Sequence, residues 1–176
     1  MLARFTDSAR RALIRAGTLA LDAGRPALTP DLLLLALAEI RPFSLASFTV
    51  TAEDVREQVD LGDRRELLAT LGIDLAEVHR RTRAGTSDPA RWRLTRSRLN
   101  PLRVTLHGPL GSVPLAMHAR KVVEVAMWRP GAVTGERLLW GLLADYSNGA
   151  GRILRAGGVD LRALVEETGM PTARTA

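Results

Sequence analysis

The sequence predicts an all-α protein built from two related helical units, and three observations carry that prediction. The chain has 176 residues and is 46% hydrophobic but only 4% aromatic. Its interior must therefore be mostly Leu, Val and Ala, which packed helices use and β-sandwiches usually supplement with aromatics. The same pattern also occurs twice in the same order. "ARRALIRA" at 9–16 returns as "ARKVVEVA" at 119–126, and "TPDLLLLAL" at 29–37 returns as "TGERLLWGL" at 134–142. A third pair follows, "LLATLGIDLAEVHRRT" at 67–82 against "ILRAGGVDLRALVEET" at 153–168.

The helix ends are written in side chains that satisfy unpaired backbone amides. Thr6 is expected to cap the first helix, with Asp7 at the positive end of its dipole and Ala9, Leu13, Ala16 and Ala20 along one buried face. Thr29 caps the second, with Pro30 at the first helical position, where its missing N–H is harmless, and Asp31 behind it. Thr134, Gly135 and Glu136 repeat that start. Asp74 with Glu77 makes a capping box for a third helix, and Asp160 opens its counterpart.

The units are unequal. Asp31 and Gly72 lie 41 positions apart whereas Glu136 and Gly158 lie 22 apart, so the first unit carries an insertion near 41–65, in which "TAEDVREQVD" reads as a short helix capped by Thr51. The expected organisation is a first repeat at 1–84, an arginine-rich linker at 85–112, a second repeat at 113–170 and a tail at 171–176. Within the linker Leu102, Val104 and Leu106 alternate with Arg103, Thr105 and His107. That pattern fits a short β-hairpin turning near Asn100-Pro101, and most of the linker is expected to be exposed.

Composition excludes several functions. The leucine run around 32–40 is interrupted by Glu39 and is too short to cross a bilayer, so no membrane partner is expected. Residues 1–10 carry Arg4, Asp7 and Arg10 with no apolar segment of the secretory kind, which points to the cytoplasm. With no cysteine, disulfides, thiol catalysis and thiolate metal sites are ruled out. His79, His107 and His118 share no acidic residue at ligand spacing, so no metal or other cofactor is expected. No "GxSxG" elbow is present, and no catalysis is assigned. The net charge is +6, and of the 25 basic residues only Lys121 is a lysine.

With "RFTDSARRAL" at 4–13, the acid-led leucine run and the Gly-(Ile/Val)-Asp-Leu element all duplicated, the chain resembles the Clp N-terminal domain family. The resemblance covers roughly 1–37, 67–82 and 113–170. It implies two four-helix Clp-type repeats related by a pseudo-twofold, and a domain that binds adaptors, client proteins or peptide-like antibiotics for a Clp unfoldase. The inserted segment and the linker are longer than the family usually has. No "GxxxxGK[ST]" motif is present, so the chain looks like a stand-alone, non-enzymatic domain without the ATPase, acting as recruiter or decoy.

In some family members, an acid at the head of each leucine helix and a Thr at the head of each first helix form a phosphoarginine pocket. The carboxylate suits the guanidinium, and the hydroxyl and helix amides suit the phosphate. The matching positions are Thr6, Asp31 and Glu136, with Ala116 where the second hydroxyl would stand. The plainer reading is that both acids only stabilise helix starts. The family's apolar partner surface carries over to Leu2, Phe5 and Leu115, and the equally good alternative is that Leu2 and Leu115 are ordinary packing residues. Trp140, in the second leucine run, reads as core. A separate alternative is a nucleic-acid-binding protein that uses the arginine-rich 80–103 stretch. Arg91, Arg93, Arg96, Arg98 and Arg103 would meet phosphates and Trp92 would stack on a base, although a packing contact within the hairpin accounts for Trp92 as well.

Overall fold

A computed structural model describes residues 1–59, 61, 88–145 and 148–169. Among them are seven α-helices and a small antiparallel sheet. The third helix expected at 67–82, with Asp74, Glu77, His79 and the arginines at 80, 81 and 83, lies outside the described residues.

Helix α1 (Asp7–Asp22) starts at Thr6, whose hydroxyl accepts the Ala9 amide at 3.3 Å. Ala9, Leu13, Ala16 and Ala20 are all buried on it. Helix α2 (Pro30–Ile40) starts at Thr29, but here the expected side-chain cap is not made. Its four consecutive leucines, Leu32–Leu35, are all fully buried. A helix that is apolar on every side must be surrounded. α2 is flanked by α1, by α3 (Ala52–Gln58), and by three helices of the second half: α4 (Met117–Trp128), α5 (Gly135–Leu143) and α6 (Gly149–Ala156). The leucine run is therefore the centre of the core. A last helix, α7 (Leu161–Glu167), starts on Asp160, which accepts from the Arg162 and Ala163 amides.

The expected inserted helix is α3. A full capping box closes its start: the Thr51 hydroxyl accepts the Asp54 amide while Asp54 accepts the Thr51 amide. These bonds from Thr51 hold the Asp54 carboxyl below its ordinary value. Glu39, in the last turn of α2, ties three helices together by accepting from Arg15 on α1 and Arg56 on α3. Burial pushes the Glu39 pKa up, but hydrogen bonds and charge from Arg15 and then Arg56 outweigh it. The carboxyl is held below its ordinary value. In the second half, α4 and α5 approach closely at Gly141, where a Cβ would stand 2.6 Å from the Val122 carbonyl oxygen. Trp140, expected in the core, is only half-buried on the flank of α5.

Most of the described linker residues are exposed, and Trp92, Leu94, Val104 and Leu106 are the buried ones among them. Strands β1 (Arg93–Arg96) and β2 (Val104–Gly108) form the expected hairpin, and Asn100-Pro101 lies in the loop between them. A third strand, β3 (Gly111–Pro114), extends it, with Gly108 opposite Gly111 across a tight turn. The row Leu94, Leu106 and Val113 faces the core, while Arg93, His107 and Ser112 form the row facing outward. Leu102, expected on the apolar face of the hairpin, instead lies in the loop and is exposed. The buried face meets α1 where Gly17 leaves room, since a Cβ there would fall 2.4 Å from Leu106 Cδ2.

Candidate functional site

Two short parallel bridges set the geometry at the helix starts. Phe5, just before α1, pairs with Val133, just before α5: the Val133 amide donates to the Arg4 carbonyl at 2.7 Å and the Thr6 amide donates to the Val133 carbonyl at 2.9 Å. Leu28, just before α2, pairs with Leu115, just before α4, with the Leu28 amide on the Pro114 carbonyl at 2.8 Å and the Ala116 amide on the Leu28 carbonyl at 2.9 Å. The bridges are reciprocal. Each joins the lead-in of a first helix in one half to the lead-in of a second helix in the other.

Thr6 therefore sits beside Thr134 and Glu136, not beside the acid of its own half. Asp31 sits beside Ala116. At the first pair, both helices are closed by threonine hydroxyls, Thr6 accepting from Ala9 and Thr134 from Arg137 at 3.5 Å. At the second pair, neither Thr29 nor Ala116 gives a side-chain cap, the latter because it has no polar atom. Asp31 and Glu136 are both half-buried in the first turns of their helices, and among the described residues neither carboxylate has a hydrogen-bond or ion-pair partner. An uncommitted carboxylate at such a place can receive a guanidinium or ammonium group.

The first pair also carries cations that sequence reasoning missed. Arg4 donates to the Arg129 carbonyl at 2.8 Å, and Arg137 donates to the Arg129 and Pro130 carbonyls at 3.2 and 2.9 Å. Two guanidiniums thus lie on the 129–130 loop, one sequence neighbour away from Phe5 and Glu136. Their repeat counterparts are Pro114 and Leu32, so the second pair has no equivalent charge. The available signal was the flanks of the matched positions, which differ between the repeats.

The expected apolar partner surface is not exposed. Leu2, Phe5 and Leu115 retain only 6%, 3% and 7% of their accessible surface. The bridges explain this, because pairing Phe5 and Leu115 with extended segments of the other half folds their side chains inward. Trp92, expected either to stack on a base or to pack within the hairpin, is buried at 3% exposure. Its ring covers Gly108, where a Cβ would fall 2.4 Å away, so it cannot stack on a nucleic-acid base. Arg91, Arg93, Arg98 and Arg103 are exposed, and Arg96 pairs with Glu124 at 2.6 Å.

Two histidines among the described residues make side-chain hydrogen bonds. His107 is held between Ser112 at 2.7 Å and Thr95 at 2.9 Å on the outer sheet face. His118 bonds the buried Asp145 at 2.9 Å, and Lys121 approaches the same carboxylate at 3.5 Å. Among the described residues no group of three or more His, Cys, Asp or Glu side chains is placed to hold a metal, and no helix is long and apolar enough to cross a membrane.

The helix order, the central leucine helix and the paired helix starts together define a mostly helical fold of the Clp N-terminal-domain type. A solved structure with this fold is the N-terminal domain of the caseinolytic protease associated chaperone ClpD from Arabidopsis thaliana. The match covers 96% of both chains with a TM-score of 0.57 at 18% sequence identity. No protein-family model and no curated protein matches the sequence. At this identity the likeness establishes the fold alone.

Proposed function

We propose that this chain is a non-enzymatic binding module of the Clp system, and that it takes its ligand at the Thr6–Glu136 pair. What supports this reading is that the segments joined by the Phe5–Val133 bridge carry a hydroxyl, a carboxylate with no partner among the described residues, and two guanidiniums. A ligand carrying both an anionic and a cationic group, such as phosphoarginine on a client peptide, matches that set. Glu136 meets the ligand's guanidinium, while Thr6 and the Arg4 and Arg137 cations meet the phosphate. The reciprocal bridges support treating the two halves as Clp-type repeats related by an approximate twofold. In that frame the Asp31–Ala116 pair is a degenerate copy, without the hydroxyl and without the guanidiniums. The ligand reaches the domain on client or adaptor proteins, and the domain either passes them to a Clp unfoldase or withholds them from it.

Calorimetry with free phosphoarginine, and then with a phosphoarginine peptide, tests this. One site per chain is expected, lost in Glu136→Ala and weakened in Arg137→Ala, with Asp31→Ala close to wild type. Absence of heat at millimolar ligand removes phosphoarginine as the ligand. Equal losses in Asp31→Ala and Glu136→Ala contradict the single-site assignment.

A further inference from the structure

Six large apolar side chains stand exposed among the described residues, and four of them, Leu99, Leu102, Met117 and Trp128, belong to α4 and the β1–β2 loop. Leu99 is fully exposed, Trp128 is 76% exposed, and Leu102 and Met117 are each about two-thirds exposed. The loop is fastened to the helix. Arg120 on α4 donates to the Leu102 carbonyl at 2.7 Å, and Arg96 at the end of β1 pairs with Glu124 one turn further along. On α4, Met117, Lys121, Glu124 and Trp128 fall at the i, i+4, i+7 and i+11 positions of one face, with Met117 and Trp128 roughly 16 Å apart along the axis.

The charge around these side chains is mostly positive, and the one acid on the α4 face, Glu124, is paired with Arg96. Between residues 88 and 123 there are seven Arg or Lys and a single acid, Asp88. Among the described residues, the guanidiniums of Arg98 and Arg103, flanking Leu99 and Leu102, have no ion-pair partner. Exposed apolar side chains on a loop, an exposed tryptophan on the helix to which that loop is fastened and arginines beside the loop leucines match the chemistry of a bilayer boundary. There apolar tips enter the acyl edge, Trp prefers the headgroup level and Arg meets lipid phosphate. We infer that this face, formed by α4 and the β1–β2 loop, docks on an anionic lipid surface. The sequence led us to expect no membrane partner. Lying on a membrane is a different relation from crossing it, and the absence of a spanning segment does not bear on it.

The test uses the full chain and flotation with vesicles of phosphatidylcholine alone or with about a third phosphatidylglycerol. Binding to the anionic vesicles only is expected. It should weaken at least about tenfold in the double variant Leu99→Ser, Leu102→Ser, whose exposed positions leave the thermal melt unchanged. A blue shift of tryptophan emission on binding should disappear in Trp128→Phe, because Trp92 is already buried and Trp140 lies on α5, outside this face. Failure to float with the anionic vesicles overturns the proposal. So does flotation that the leucine variant leaves intact, particularly with equal retention of a DNA duplex, since the arginines would then be binding any polyanion.

Discussion

Glu39→Gln tests the junction of α1, α2 and α3. The wild-type carboxylate accepts charge-assisted hydrogen bonds from two arginines on two different helices, and its side chain is only 14% exposed. Bonds of that kind contribute about 1.5–3 kcal/mol each. Arg15 and Arg56 retain 28% and 37% exposure, so water screens them and can solvate them once Glu39 is neutralised. The net loss is therefore reduced to about 2 kcal/mol. For a chain of this length that is a fall in Tm of about 4–8 °C near neutral pH. The pH dependence follows from the lowered pKa. The contribution is present above the unfolded-state carboxyl pKa and is lost as pH falls through the lower folded value. The gap between wild type and variant should accordingly narrow below about pH 4. Calorimetric melts of both proteins at neutral and acid pH check this. A difference under about 0.5 kcal/mol at neutral pH, or one that persists undiminished at the acid end, refutes the account.

Other substitutions probe the packing. Leu33→Ala, at a fully buried position on α2, should cost about 3 kcal/mol in guanidinium unfolding with little change in the denaturant slope. Gly141→Ala should cost about 1–3 kcal/mol, because the new methyl meets the Val122 backbone and the only relief is separation of α4 from α5. Gly108→Ala should displace the Trp92 ring, read as a red shift of emission and faster acrylamide quenching, with the far-ultraviolet helical signal retained.

The helices were legible because their signals are local. Thr6, Thr51, Thr134 and Asp160 each bond amides within three residues, and the run Leu32–Leu35 admits only a helix that is enclosed. The capping role assigned to Thr29 on the same grounds was not found, although Thr29 does stand at the helix boundary. Strand β3 escaped notice because Gly111, Ser112 and Pro114 are poor strand formers, and its pairing partner β2 supplies the bonds that hold it extended. For Leu2 and Leu115 the choice between partner surface and packing stayed open, because a sequence position says nothing about what covers it. Here the covering of Phe5 and Leu115 depends on bridges to Val133 and Leu28, 128 and 87 residues away in sequence. The candidate site shows the same limit. Thr6, Asp31 and Glu136 could be picked out one by one, but their grouping into Thr6 with Glu136 and Asp31 with Ala116 is a property of the crossed bridges.

Those bridges also bear on how the chain could be divided. The extended lead-ins at Phe5 and Leu28 find their hydrogen-bonding partners at Val133 and Leu115, and α2 draws part of its apolar cover from α4, α5 and α6. Among the described residues, each half supplies backbone edge and apolar cover to the other. Expressed as separate polypeptides, the halves would behave as complementary fragments, aggregation-prone alone and recovering the native helical signal only when mixed.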